Sequence, residues 1–282
     1  MASPLLTSPP PPITAAALTH PGRARDQNED AFGAFVLDRL FIVADGMGGH
    51  RAGEVASRMA TEMLLTRLTA AADAFRANER QHGPLLALTQ SINQANKSIY
   101  EAGRVDPRYR GMGTTMAAAM FHDNRVVLGH VGDSRIYRMR NGKLELLTRD
   151  DSLLRDQVEL GVISAAEARQ SHNRSLVTRA LGIEERVSAH LADEAALPGD
   201  VYLLCSDGLN DCVEDADIEL IVSSLAANLP LAATHLVQTA KDNGGYDNVS
   251  VILAKVKEPF PARAANWWSR FVDWWKRLLG GR

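Results

Sequence analysis

Residues 41–49 read FIVADGMGG, an apolar run that ends in an acidic, glycine-rich turn. Four consecutive apolar residues bounded by a turn signal are typical of a buried strand. The glycines after Asp45 let the backbone approach a ligand closely, so the Gly46 carbonyl could join the carboxylate as a ligand. Taken alone, a strand that ends in Asp-Gly is common, and its simplest interpretation is a plain turn.

Three further acids stand at comparable positions. Asp133 lies in GDSR at 132–135, Asp207 in SDGLND directly after an apolar run, and Asp247 in DN directly before one. If the run after Asp247 is a strand antiparallel to one of the others, its start and their ends meet at one sheet edge. Carboxylates that converge without nearby lysines repel one another unless divalent cations lie between them. Oxygen ligands of this kind favour magnesium or manganese over zinc.

Hydrophobic periodicity divides the chain into strands in hairpin order, with helices before and after them. Strands are predicted at residues 13–18, 32–37, 40–44, 114–121, 125–131, 135–140, 143–147, 187–191, 201–205 and 249–256. Helices are predicted at residues 52–75, 84–102, 165–169, 214–226 and 230–242. Residues 149–183 are polar and their hydrophobic pattern is interrupted, which indicates a surface excursion. This order predicts an α+β fold of antiparallel sheets flanked by helices.

Composition narrows the class of protein. The 282 residues are 45% hydrophobic, enough for one sizeable core or two small ones. The net charge of −3 argues against nucleic acid as the main partner. The two cysteines, Cys205 and Cys212, fit no metal or redox spacing, which favours reduced thiols and a reducing compartment. We expect neither a signal peptide nor a membrane span, because no basic n-region and no run of about 18 apolar residues is present.

A guanidinium and several acids share the loop at residues 25–30, which reads RDQNED. Its simplest interpretation is a solvated charge cluster. If the acids described above bind metal ions and the substrate is a phosphate, Arg25 is a candidate for binding it. Arginine binds phosphate oxygens through two parallel hydrogen bonds. Plain alternatives also exist for two of the acids. Asp133 could cap a turn or pair with Arg135, and Asp211 could complement a helix dipole.

Six motifs in a fixed order resemble those of a known family. They are RDQNED, DGMGGH (45–50), GMGTT (111–115), GDSR, SDGLND and DN, within residues 14–256, and they look like those of the bacterial metal-dependent protein phosphatases of the type 2C (PPM) class. A match to one such motif would be weak evidence, whereas matches to six motifs in this order and spacing are specific to the family. The resemblance implies an α-β-β-α sandwich of two antiparallel sheets flanked by helix pairs. It also implies two Mn²⁺ or Mg²⁺ ions at one edge, with a weaker third ion.

The resemblance implies metal ligands that are acids and one carbonyl: Asp45, Gly46, Asp207, Asp247, Glu29, Asp30, Asp133 and Asp211. Asp45 corresponds to the carboxylate that bridges both metals, and Asp207 and Asp247 complete the first metal. Glu29 and Asp30 correspond to the acids that orient water on the second. The implied third site is formed by Asp133 and Asp211 together with Asp207.

Arg25 corresponds to the residue that binds the substrate phosphate and, with the bridging aspartate, forms the predicted catalytic pair. Two positions depart from the family pattern. Met47 stands where eukaryotic relatives carry a histidine proposed as general acid, so metal-bound water or another group such as His50 must protonate the leaving group. Asp151 replaces a histidine expected in the excursion at 149–183, which corresponds to a flap that shapes access for protein substrates.

These features predict a cytoplasmic Ser/Thr protein phosphatase that acts on phosphoproteins through a metal-activated water and opposes a bacterial Ser/Thr kinase. No nucleic-acid partner is expected. One alternative is a dinuclear hydrolase of small phosphate esters or nucleotides, and another is a phosphatase-like binding module without catalysis. The presence of every matched metal-site acid argues against the binding module. The polarity of the flap favours protein substrates.

The catalytic domain is predicted at residues 13–257. Residues 1–12 are rich in proline and serine, which is typical of a disordered tail. Residues 258–282 are predicted to form a linker and an amphipathic helix at 264–279, which contains all 4 tryptophans of the chain. An aromatic face with basic residues opposite suits a peripheral position at a membrane or contact with a partner protein. Packing of this helix on the domain is the alternative.

Overall fold

The computed structural model describes residues 11–37, 39–48, 52–76, 83–164, 167 and 176–260. Within them, the strands pair antiparallel in two sheets. The first sheet has the order β1 (Ile13–His20), β11 (Val249–Val256), β10 (Val201–Cys205), β7 (Arg135–Arg140) and β8 (Lys143–Leu146). The second has the order β2 (Asp30–Phe35), β3 (Leu40–Met47), β5 (Met116–His122), β6 (Arg125–Val131) and β9 (His190–Ala195), with β4 (Gly113–Thr114) paired to β3.

Helices cover the outer face of each sheet. In chain order they are α1 (Ala52–Arg76), α2 (Pro84–Val105), α3 (Leu153–Glu159), α4 (Asp207–Asn210), α5 (Asp215–Ser224) and α6 (Leu229–Asp242), with a 3-10 turn at Pro107–Tyr109. Helices α1 and α2 pack on the six-stranded sheet, and α5 and α6 pack on the five-stranded sheet. A third apolar cluster fills the space between the sheets. The predicted α-β-β-α fold class is therefore confirmed.

The strand β3 shows how side chains divide between these layers. Phe41 and Val43 lie in the core between the sheets, where they meet Tyr202 and Ile252 of the other sheet. Ile42 instead lies in the cluster under α1 and α2. Successive residues of a strand point to opposite faces. Both faces of β3 are buried, which explains why residues 41–44 form a continuous apolar run.

Antiparallel pairing brings the acidic motifs to one edge of the sandwich. The end of β10 lies beside the start of β11, where Cys205 is opposite Val251. In the other sheet, the start of β2 lies beside the end of β3. The condition that the strand after Asp247 lies antiparallel beside one of the other strands is met, because β11 pairs antiparallel with β10.

Some elements differ from the prediction. The strand β3 continues to Met47, so Asp45 lies within it and not in a turn after it. The strand predicted at 187–191 is instead β9, which lies at a sheet edge with mostly exposed side chains and so carries little hydrophobic signal. The helix α3 was not predicted, because its 7 residues are too few to show a clear period. The helix predicted at 165–169 lies outside the described residues except for residue 167.

Most of the two predicted terminal segments, at residues 1–10 and 261–282, lies outside the described residues. Of residues 258–260, predicted as the start of a linker, the first two are exposed and the third packs on the domain. Phe260 is buried, its ring contacts that of Phe121 edge-on, and its N–H donates to Oδ1 of Asn124 at 2.6 Å. Asn124 lies in the β5–β6 turn, at the edge opposite the acidic motifs. None of the helices among the described residues has the length and apolar content needed to span a bilayer.

Candidate metal centre

The centre of the site is a pair of facing aspartates. Asp30 begins β2 and Asp45 lies near the end of β3, and the two are directly opposite each other. Oδ2 of Asp30 accepts hydrogen bonds from the hydroxyls of Ser206 at 2.8 Å and Ser250 at 2.6 Å. Ser250 lies in β11 and Ser206 directly follows β10. Asp30 therefore joins the edges of the two sheets.

Asp207 and Asp247 approach this pair from the five-stranded sheet. Asp207 begins α4 directly after β10, and Asp247 precedes β11. The backbones of the two segments nearly touch, since a Cβ added at Gly208 would lie 2.0 Å from the carbonyl oxygen of Asn248. Only glycine allows this approach, which holds the two acids at the same edge.

The pKa values of the acids show that they interact. Burial raises the pKa of Asp45 well above its ordinary value, and the charges of Asp30 and Asp207 raise it further. Burial likewise raises the pKa of Asp207, with the charges of Asp133 and Asp211 adding to the effect. Burial raises the pKa of Asp30 to about 6, although its hydrogen bonds to the two serines oppose the rise. Acids buried together retain protons unless a cation replaces them.

Two oxygens of the site lack donors in the part of the chain that the structure describes. Oδ1 of Asp30 and Oδ1 of Asp207 are buried, with no N–H or hydroxyl partner among the described residues. A buried carboxylate oxygen without a donor is costly, whereas a hard cation favours it as a ligand. The donor set therefore fits magnesium or manganese. In the described part of the chain, no three acidic, histidine or cysteine side chains already form a complete ion-binding group.

Arg25 pairs with one of the acids. Its Nη2 donates to Oδ2 of Asp247 at 2.8 Å, and this hydrogen bond raises the pKa of the guanidinium. The Arg25 side chain is 54% exposed, against 33% for that of Asp247. The pair therefore lies at the mouth of the site, where the guanidinium is accessible to a phosphate from solution.

The structure brings Asp133 and Asp211 close to Asp207. Burial raises the pKa of Asp133 to about 7, and the charges of Asp150 and Asp211 contribute to the rise. All three acids of the predicted third site line a cavity of about 340 Å³. Arg135 does not form an ion pair with Asp133; its Nη2 donates to Oδ2 of Asp150 at 2.7 Å. The role of these acids as a third metal site stays a prediction.

Glu29 and Gly46 flank the central pair. The Gly46 N–H donates to the Glu29 carbonyl at 3.2 Å, which ties the loop before β2 to the end of β3. Burial raises the pKa of Glu29, while the charge of Arg25 opposes the rise. A Cβ at Gly46 would lie 2.1 Å from the carbonyl oxygen of Gly53, so only glycine lets α1 begin against the site. The eight predicted ligands thus lie at one edge, and their roles as ligands stay predictions.

Several residues that hold the acids in place were not predicted from the sequence. Asn248 is buried; its Oδ1 accepts the N–H of Glu29 at 2.7 Å, and its Nδ2 donates to the carbonyls of Pro21 at 3.1 Å and Gln27 at 2.9 Å. The amide therefore fixes residues 21–29 against the start of β11. A signal was present, because Asn248 belongs to a quoted motif and Ser250 follows two positions later on the same strand face.

His50, one of the alternatives for protonating the leaving group, lies outside the described residues. Met47 ends β3 opposite Gly113. Asp151, the second departure from the family pattern, is buried at the base of the flap and accepts a hydrogen bond from Arg179.

Comparisons with known proteins agree with these motifs. The family model described as protein phosphatase 2C matches residues 22–232. The chain is 41% identical over 243 residues to the serine/threonine protein phosphatase PstP of Mycobacterium tuberculosis, covering 86% of this chain and 44% of PstP. It is 36% identical over 240 residues to the serine/threonine phosphatase Stp of Listeria innocua, covering 84% of this chain and 93% of Stp. The chain thus spans less than half the length of PstP.

A solved structure shows the same fold. It is the catalytic domain of PstP in complex with two manganese ions, with a TM-score of 0.76 and 36% identity, covering 87% of this chain and 99% of that chain. The family model covers most of the chain and includes five of the six motifs, all but the final DN. The chain therefore belongs to the protein phosphatase 2C family.

Proposed function

We propose that this chain hydrolyses phosphoserine and phosphothreonine in proteins with the help of two Mn²⁺ or Mg²⁺ ions. The observation that carries the proposal is the group of buried, mutually repelling acids around Asp45. Two oxygens of this group, one each from Asp30 and Asp207, have no donor among the described residues. Two comparisons support it: the relatives named serine/threonine protein phosphatases, and the manganese ions bound by the PstP catalytic domain.

The chain's own residues have separable tasks in this reaction. Two bound cations would lower the pKa of a water molecule and stabilise charge on the phosphoryl group. Arg25, at the mouth of the site, binds and orients phosphate oxygens. Glu29 and Asp30 orient the attacking water, and the serine hydroxyls fix the second of these carboxylates. A covalent route through Cys205 is disfavoured, because burial raises its pKa to about 12 and leaves little thiolate.

The test is phosphate release from a phosphothreonine peptide, para-nitrophenyl phosphate and a nucleoside triphosphate, each with manganese and then with excess chelator. We expect manganese-dependent release from the peptide, loss of release with chelator, and no release by Asp207→Asn. Hydrolysis of the two small esters without the peptide would favour the small-ester hydrolase. Binding of the peptide without phosphate release would favour the binding module.

We also propose a cytoplasmic site of action and a bacterial Ser/Thr kinase as the opposing enzyme. Both cysteines are free, which suits a reducing compartment. Phosphoprotein substrates require a kinase that makes them. Deleting the gene of the cognate kinase should lower the amount of phosphothreonine that the purified phosphatase removes from a cell extract. An unchanged amount would contradict this pairing.

A further proposal concerns residues 264–279, which we propose contact a membrane surface or a partner protein. The position of Phe260 at the edge opposite the metal centre supports it, since a segment that leaves there need not cover the site. The test is a truncated chain. Because Phe260 is buried, the truncation removes residues 262–282 only. We expect unchanged peptide phosphatase activity and less enzyme in the membrane fraction of lysed cells. A large fall in melting temperature would show instead that the segment packs on the domain.

A further inference from the structure

The two ends of the flap (residues 149–183) meet at Asp151. The N–H of Thr178 donates to the Asp151 carbonyl at 2.8 Å, and the N–H of Leu153 donates to the Leu176 carbonyl at 2.9 Å. Ser152 and Val177 form an isolated antiparallel bridge between these bonds. The described ends of the flap therefore form a short two-stranded base.

The Asp151 carboxylate ties this base to the metal centre. The side chain is 2% exposed. Its Oδ2 accepts the N–H of Gly132 at 3.1 Å, and its Oδ1 accepts from Nη1 of Arg179 at 2.7 Å and lies 2.9 Å from Nε2 of His190. The Asp151 N–H also donates to the Gly132 carbonyl at 2.7 Å. Gly132 directly precedes Asp133 in the chain. One buried carboxylate thus joins the flap, β9 and the turn that presents an acid of the site.

The neighbouring residue makes a second connection. Arg135, at the other end of the GDSR motif, donates from Nε and Nη2 to both oxygens of Asp150 at distances between 2.7 and 3.1 Å. The Asp150-Asp151 pair therefore binds both ends of this motif. Since a bidentate arginine–carboxylate pair is geometrically specific, the start of the flap has little freedom relative to residues 132–135.

This connection sets one wall of the cavity beside the metal centre. The helix α3 begins immediately after Ser152, whose hydroxyl accepts the N–H of Arg155 at 3.3 Å. Leu154 and Val158 of α3 line the cavity of about 340 Å³, which Asp133 and Asp207 also line. A displacement of Asp151 would therefore move the α3 wall relative to the acids.

We propose that Asp151 is a positioning residue that fixes the α3 wall against the metal centre and thereby sets the affinity for phosphoprotein substrates. The inference rests on the proposed function, because it assumes that a phosphoprotein is bound at this edge. A protein substrate extends beyond its phosphate and reaches α3, whereas a small aryl phosphate occupies only the centre. Loss of the connection should raise KM for the protein substrate and leave the small ester nearly unaffected.

Three variants test this proposal. Asp151→Asn keeps the size of the side chain but removes the charge that pairs with Arg179. Arg179→Gln removes the same ion pair from its more exposed side, where the arginine is 40% exposed, so this variant should fold even if the first does not. Asp200→Asn is the matched control. Asp200 is equally buried at 2% and pairs with Arg140 at 2.7 Å, but it lies at the opposite edge of the sandwich.

The activity readout is the ratio of kcat/KM for a phosphothreonine protein to that for para-nitrophenyl phosphate. We expect this ratio to fall on the order of tenfold in Asp151→Asn through KM, to fall less in Arg179→Gln, and to stay at the wild-type value in Asp200→Asn. An unchanged ratio in both flap variants would overturn the proposal. A comparable fall in the control would overturn it too, because it would show a general loss of stability.

Hydrogen exchange gives a second readout that is independent of activity. In Asp151→Asn, the amides of Leu153 and Thr178 should exchange faster than in the wild type, while those of β10 stay protected. Unchanged exchange at these two amides would overturn the positioning role even if the enzyme had no measurable turnover. Failure of the proposed function would give a different result: the wild-type protein would release no phosphate from any substrate.

Discussion

Asp30 and Asp45 lie directly opposite each other in the β2–β3 pair, so two acids face the same side of the sheet at its edge. Like charges at directly opposed positions destabilise a sheet. Here Asp30 also receives two hydroxyl donors from the other sheet. Carboxylates held together in this way retain protons unless a cation replaces them, as the raised pKa values of both acids indicate.

The first prediction concerns the stability of the metal-free protein. Burial raises the pKa of Asp30 from 3.8 to about 6 and that of Asp133 to about 7. Between about pH 4 and pH 7 the folded protein therefore binds more protons than the unfolded chain, so its stability falls as pH rises. The melting temperature of chelator-treated protein should be several degrees lower at pH 8 than at pH 5.

Manganese is the control for this pH effect. Excess manganese at pH 8 should restore the melting temperature, because bound cations replace the lost protons and stabilise only the folded state. A metal-free protein that melts at the same or a higher temperature at pH 8 would contradict the raised pKa values.

The second prediction concerns Arg25 and its pair with Asp247. Arg25→Ala should lower kcat/KM for phosphopeptides by about tenfold or more and weaken inhibition by inorganic phosphate, since a charge-assisted contact contributes on the order of 2 kcal/mol. Its manganese affinity should stay the same or rise, because the guanidinium competes with a cation for the Asp247 carboxylate.

Arg23→Ala is the matched control for this change. Arg23 lies in the same loop and forms a similar 2.8 Å pair with Asp242, both side chains being 55% exposed. Activity close to wild type is expected, as an exposed ion pair contributes little. If Arg25→Ala abolished manganese binding, Arg25 would be a structural support of the site and not a substrate contact.

The third prediction concerns the acids beside Asp207. Asp133→Asn and Asp211→Asn should each retain two tightly bound manganese ions but turn over phosphoproteins more slowly, because the acids they replace would recruit a weaker ion. Inductively coupled plasma mass spectrometry of the dialysed proteins gives the metal count, and steady-state kinetics gives the turnover. Wild-type turnover in both variants would contradict the predicted third metal site.

The sequence predicted those elements whose signals are local. The bounds of β6, β7, β10 and β11 agree with the structure because each strand is an apolar or alternating run bounded by turn residues. The edge strand β9 was misplaced because HLADEA is mostly exposed and resembles a loop. The helix α3 was missed because so short a helix is stabilised by its Ser152 cap and by flap contacts.

The acids of the site were predictable from motifs, whereas their supports were not. Asp30 and Ser250 are 220 residues apart in the chain, and no local pattern links them. The pair formed by Asp151 and Arg179 depends on how the flap folds back on itself. Such contacts follow from tertiary packing, so only the structure reveals which polar residues position the acids.

The most direct test of the central claim is a calorimetric titration of chelator-treated protein with manganese, on the wild type and on Asp45→Asn. Asn keeps the shape of the side chain at the position where the strands place it opposite Asp30. We expect two tight manganese sites in the wild type. In the variant, both sites should be lost or markedly weakened while the circular-dichroism spectrum stays unchanged. Two tight manganese ions bound by folded Asp45→Asn would contradict it.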